Sequence, residues 1–195
     1  MIVIMGRWEP DARGRLLSAA IELFEEQGYD ATTAAQIAAR AGLTKTTLFR
    51  HFADKREILF QGQEMLLTVA SEGVERSDDS STPFAALAAG IRELCAVHTT
   101  QGRDLGRRLD VILSSSPELQ ERAVFKRFAI TSALQSALTL RTSNGLEAGI
   151  LADAGMRAYY DGFAAWIAVD DDLPLFDFAM RELGRYEQIL APIVT

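Results

Sequence analysis

The chain has 195 residues, 48% apolar and 24% charged, the usage of an ordinary globular protein, which excludes wholesale disorder and leaves room for one large or two small domains. It carries 20 Lys plus Arg against 27 Asp plus Glu, a net charge of −7, and a single cysteine, Cys95, so an internal disulfide is excluded and a reducing compartment is expected. The opening "MIVIM" is shorter than a signal-peptide core, and no apolar run approaches the ~18 residues that span a bilayer, so a cytoplasmic protein without a membrane partner is expected.

Helical signals recur along the chain and strand signals do not. Pro10 opens a segment in which Leu17, Ala20, Ile21 and Phe24 fall at i, i+3, i+4 and i+7, and Gly28 stops it. Thr33 and Gln36 form a capping-box pattern at the head of a second helix, whose stripe is Ile37, Ala38 and Ala41 and whose end is Gly42. Thr44 is the N-cap of a short third helix. Asp54 and Glu57 repeat the pattern and predict one long helix through "KREILFQGQEMLLTVASEGVE". "RSDDSSTP" (76–83) reads as a linker, and further helices are predicted over 83–99, 102–113, 117–141, 147–169 and 174–192. No alternating strand pattern and no repeat of fixed period occurs. The fold class is all-α.

The charge is unevenly placed. Residues 1–60 hold 8 basic and 8 acidic side chains and are neutral, so the rest of the chain supplies the whole excess of acid. Within 40–57, Arg40, Lys45, Arg50, Lys55 and Arg56 face only Asp54 and Glu57. Such a patch is either an anion-binding face or an ordinary solvated helix face. The layout favours the former. Three short helices, with "GLT" between the second and third, have the plan of a helix-turn-helix. Leu43, Leu48 and Phe52 are spaced to point back at Ile37 and Phe24. Lys45, Thr46, Thr47 and Arg50 are left outward, where a DNA major groove offers acceptors to Lys and Arg and varied partners to Thr. His51 and Lys55 fall where a flanking phosphate would pass.

The stretch "LLSAAIELFEEQGYDATTAAQIAARAGLTKTTLFRHFADKREIL" (16–59) closely resembles the DNA-binding domain of the TetR family of repressors. The pattern comprises A-A-x-x-L-F, G-Y-x-x-T-T, I-A-x-x-A-G and L-F-R-H-F-x-x-K. The resemblance implies that Thr33 touches a phosphate, that Lys45, Thr46 and Thr47 meet bases or adjacent backbone, and that His51 and Lys55 hold phosphates. One departure stands out. The family usually has Tyr at position 49, whose hydroxyl bonds a phosphate; Phe49 keeps only packing or sugar contact, and Arg50 is placed to compensate.

The resemblance further implies a helix-turn-helix domain over 10–56 and an effector-binding and dimerisation domain over 57–195. "RRLDVILSSSPELQERAVFKRF" (107–128) looks like a segment of one subgroup of these regulators. In the 147–169 helix, Ala154, Ala158, Gly162 and Ala165 form a smooth stripe suited to close approach of a partner subunit, and Tyr159, Phe163 and Trp166 a second stripe turned by ~100°. Without the resemblance both stripes read as monomer core. Effector-pocket candidates are Phe84, Ile91, Cys95, His98, Arg108, Ile112, Phe125 and Phe128 with the Tyr159, Phe163 and Trp166 stripe. Arg108 shares a face with Leu105 and Ile112 and either meets an acidic ligand or pairs with an acid such as Asp110.

Enzyme chemistry finds no support in the motifs. G-x-S-x-G, G-x-G-x-x-G and P-loop signatures are absent, and Cys95 with His98 lacks the second ligand pair of a metal site, so neither a cofactor nor a metal is expected. The expected protein is a homodimeric regulator that binds an operator in double-stranded DNA and is released by a small-molecule effector. Its rival is a helical adaptor that binds protein and no DNA.

Overall fold

The structure, a computed structural model, describes residues 12–194; Trp8 and the expected helix start at Pro10 lie outside the described residues. The chain folds as α1 (Ala12–Gln27), α2 (Ala34–Arg40), α3 (Lys45–His51), a 3-10 turn (Arg56–Ile58), α4 (Gln63–Glu75), α5 (Pro83–Ala96), a second 3-10 turn (Thr100–Gly102), α6 (Arg103–Ser114), α7 (Pro117–Leu138), α8 (Gly145–Ile167) and α9 (Leu175–Val194). No strand occurs among the described residues, and no helix there is long and apolar enough to cross a membrane.

Two compact units result. The first comprises the described residues up to Gln61 together with Leu109–Leu119, and the second comprises Gly62–Arg108 with the chain from Gln120 onward. In the first unit, α1 buries Leu16, Ala19, Ala20, Leu23 and Phe24, the spacing of one helical face. These side chains share a core with Ile37, Leu48 and Phe52, and also with Ile112 and Leu119 from the end of α6 and the start of α7. Burial of each of these large apolar side chains, at 0–6% exposure, stabilises this small unit by about 1.5–3 kcal/mol, as an upper estimate.

The long helix predicted from Lys55 to Glu75 is broken in two. Asp54 Oδ1 does accept a bond from the Glu57 amide at 3.0 Å, but it caps only the 3-10 turn. Gly62 then adopts φ +85°, a left-handed conformation that no right-handed helix can run through.

The second unit is built on α8, which packs against α9 and α5. The stripe of Ala154, Ala158, Gly162 and Ala165, expected at a subunit interface, takes part in this chain's own packing. Gly162 is buried, and a β-carbon there would lie 2.6 Å from the Ala179 nitrogen and 3.0 Å from the Phe178 carbonyl carbon. Ala158 is 1% exposed, and Ala154 and Ala165 pack on the same core. The physical reason is that α8 and α9 approach until their backbones touch, which only a missing side chain permits.

Two arginines close the end of α8. Arg103, 5% exposed, donates to the carbonyls of Val169 (2.9 Å), Asp171 (2.7 Å) and Leu173 (3.3 Å), and its guanidinium lies 4.6 Å from the Trp166 ring. Arg107 donates to the Ile167 and Val169 carbonyls and pairs with Asp170. The Ile167 carbonyl is one that a helix C-terminus leaves unbonded, and those of Val169, Asp171 and Leu173 belong to the segment between α8 and α9. Both guanidiniums thus satisfy carbonyls at and beyond the helix's negative end.

Candidate nucleic-acid interface

The interface is assembled by two caps and one apolar anchor. Thr33 Oγ1 accepts from the Gln36 amide at 3.2 Å while the Thr33 amide donates to Gln36 Oε1 at 2.8 Å, a complete capping box that fixes the start of α2. Thr44 Oγ1 accepts from the Thr47 amide at 3.1 Å and lies 2.9 Å from the Thr47 hydroxyl, fixing the start of α3. Between them, the Leu43 amide reaches back to the Ala38 carbonyl at 2.8 Å. Leu48, fully buried, then pins α3 so that its opposite side faces outward.

That side carries Lys45, Thr46, Phe49 and Arg50, all exposed, which together line one shallow depression. Phe49 is 46% exposed, and Lys45 Nζ stands 5.7 Å from its ring centroid, within cation–π range. Thr47 lies partly buried at its edge. A cation beside an exposed aromatic on the first turns of a short helix can donate to base acceptors and phosphates and pack on sugar.

The basic patch counted in the sequence is smaller in three dimensions. Arg40 is gripped by Glu26 through two 2.8 Å bonds and by Glu22 at 3.3 Å; the bond from Arg40 holds the Glu26 carboxyl below its ordinary range. Arg56 pairs with Asp54 at 2.9 Å and with Glu118 at 3.4 Å. Lys55, expected to hold a phosphate, turns inward: Nζ donates to the carbonyls of Tyr29 (2.6 Å) and Thr32 (2.8 Å) and sits 4.0 Å from the Tyr29 ring centroid. His51 is half-buried, and its Nε2 is enclosed without a hydrogen bond among the described residues. Of the five cations, Lys45 and Arg50 alone make neither an ion pair nor a hydrogen bond within the protein among the described residues.

Residues 16–61 match the sequence model of bacterial regulatory proteins, tetR family. The match covers the N-terminal helices and supports a TetR-family regulator. The regulator HbdR of Aromatoleum sp. is 34% identical over 92 residues, 47% of this chain and 40% of that one. The transcriptional activator FasR of Mycolicibacterium smegmatis is 46% identical over 48 residues, 25% of this chain and 22% of its own. The matched segment thus spans less than half the length of these curated TetR-type relatives. Among solved structures, Thermus thermophilus FadR, a TetR-family repressor in complex with lauroyl-CoA, is 23% identical with TM-score 0.53, covering 88% of this chain and 91% of that one. Mycobacterium smegmatis AmtR is 23% identical with TM-score 0.55, covering 92% and 89%. These likenesses show that the all-α fold is that of the family.

The effector candidates separate into two groups. His98, Tyr159, Phe163 and Trp166 come together: His98 Nε2 lies 2.7 Å from the Tyr159 hydroxyl, and its ring centroid is 5.2 Å from Phe163 and 6.3 Å from Trp166. Cys95 and Ile91 are buried in the same core. Burial lowers the His98 pKa and pushes the Cys95 thiol up to about 12, so both groups are held neutral. The others do not join this cluster. Phe84, Phe125 and Phe128 are 42%, 61% and 69% exposed, Ile112 belongs to the core of the first unit, and Arg108 points outward. Residues 105, 108 and 112 do share a helical face, but the cation drawn into the interior is Arg103. Its partners lie 66 to 70 positions away, so no local spacing reveals it. Tyr29 and Glu118, 89 positions apart and bonded at 3.0 Å, were missed for the same reason.

Proposed function

We propose that the chain is a DNA-binding transcriptional repressor that acts as a homodimer and leaves its operator when a small molecule binds the helical unit. The observation that carries the reading is the outward face of α3, where Lys45 and Arg50 flank Thr46 and Phe49. Thr33 and Thr47 would meet the backbone beside it. One such head contacts few base pairs, so a two-fold pair of heads reading successive major grooves supplies operator-level specificity. FadR, a fold relative, is a repressor captured with lauroyl-CoA, which supports an effector for the helical unit here. The aromatic cluster of His98, Tyr159, Phe163 and Trp166 is the proposed response element. Effector binding would act by differential affinity for two arrangements of the heads.

The test is binding of the purified chain to the DNA upstream of its own gene across a salt series. A repressor of this kind loses affinity steeply with salt, because each phosphate contact releases condensed counterions. Salt-independent binding, or none, favours a protein-binding adaptor and sinks the reading. Addition of small amphipathic acids to the bound complex then tests the effector arm.

A further inference from the structure

Two apolar side chains lie on α3, and they are treated oppositely. Leu48 is fully buried, whereas Phe49 is left 46% exposed, so core packing does not account for the phenyl ring. Its neighbour on the helix surface does. Lys45 precedes it by one turn, and Lys45 Nζ stands 5.7 Å from the ring centroid, the i, i+4 pairing that a helix brings face to face. Among the described residues Lys45 makes neither an ion pair nor a hydrogen bond within the protein, so the ring is what holds the ammonium. Thr46 and Arg50 complete the depression around the pair.

We infer that Phe49 is a positioning residue for Lys45: its ring face holds the ammonium over the outward side of α3, where the lysine selects guanine. The face of an aromatic ring is its negative side, and the attraction strengthens once a docked duplex excludes water from the pair. A free lysine spreads over many rotamers, and ordering it on binding costs affinity. A lysine already resting on a ring loses less. An ammonium carries three donors and no acceptor. Of the four bases, guanine alone presents two acceptors and no donor, N7 and O6, on its major-groove edge. Phe49 therefore sets a base preference that Lys45 reads.

This rests on the DNA-binding reading, and the two fail differently. The first experiment measures binding of the full-length chain to a library of duplexes with randomised sites. Phe49→Leu should lower the preference for guanine at one base pair by ~3-fold, the worth of an exposed cation–π pair. Lys45→Met should lower it at the same base pair, and the double variant should resemble Lys45→Met alone. Phe49→Tyr, which keeps the ring, should keep the preference. The inference is overturned if Phe49→Leu weakens all sequences alike, if the two losses multiply in the double variant, or if Lys45→Met relaxes no guanine. The second experiment needs no DNA. The Lys45 ε-methylene protons of the free protein should resonate upfield of an ordinary lysine, shielded by the ring, and should return in Phe49→Leu but not in Phe49→Tyr. An ordinary shift in the wild type also overturns the inference. A wild type without salt-dependent binding rejects the functional reading, while the proton shift still decides whether the ring holds the ammonium.

Discussion

Gly162 and Ala179 hold α8 and α9 in backbone contact, so close that a β-carbon on the glycine would lie 2.6 Å from the alanine nitrogen. Replacement with any side chain must push the helices apart within one chain. Gly162→Leu should therefore lower stability by about 2–3 kcal/mol, the cost of overpacking, although leucine is the better helix former. Urea denaturation checks this. An unchanged midpoint with altered sedimentation returns the small-residue stripe to a subunit interface.

The reduced basic patch predicts which charges DNA sees. Lys45→Met and Arg50→Met should each flatten the salt dependence of duplex binding by ~0.9 in slope. Arg40→Met should not, because Glu22 and Glu26 already neutralise that guanidinium. Lys45→Ala should also cost roughly 1–3 kcal/mol on the best site and relax one base preference. Equal slopes for all three variants would show that proximity in sequence, not pairing, sets the patch.

Phe49 stands exposed where a hydroxyl would reach solvent or a phosphate. Phe49→Tyr should tighten binding by about 0.5–1.5 kcal/mol, the net value of one hydrogen bond. Titration of both proteins on one duplex at matched salt decides it, and no gain means Arg50 already serves that phosphate.

Arg103 and Arg108 should behave oppositely. Arg103→Met strands three carbonyl acceptors and the Asp171 carboxylate, and should cost about 2–4 kcal/mol. Arg108→Met, at an exposed position, should stay within about 0.5 kcal/mol. Thermal melts of the pair are sufficient, and a reversed order contradicts the placement of the two side chains.

Burial lowers the His98 pKa from its ordinary 6.5. The unfolded chain then binds the proton more readily than the folded one. Stability should be full above pH 6.5 and fall as pH drops through 6.5 toward the lower folded value. His98→Gln, which can still bond the Tyr159 hydroxyl and does not titrate, should remove that part of the acid sensitivity. Urea midpoints compared at pH 7.5 and 5.5 test it, and identical pH dependence in both proteins would falsify the assignment.

What the sequence determined by itself was local. The capping box at Thr33, the N-cap at Thr44 and the terminations at Gly28 and Gly42 need only neighbours within four residues, and each formed as its spacing implied. The outward face of α3 followed from where Leu48 must point. Tertiary structure alone decided what depends on distant partners: that Lys55 bonds the carbonyls of Tyr29 and Thr32, that Arg103 and not Arg108 turns inward, that Ile112 joins the first core, and that Gly162 faces α9 of its own chain. A helical pattern states that a stripe is apolar or small, or that a cation lies beside it; it does not state what the stripe packs against. That choice is made by contacts across tens of residues, where the partner's shape and the unbonded carbonyls at a helix end select among side chains the sequence presents as equals.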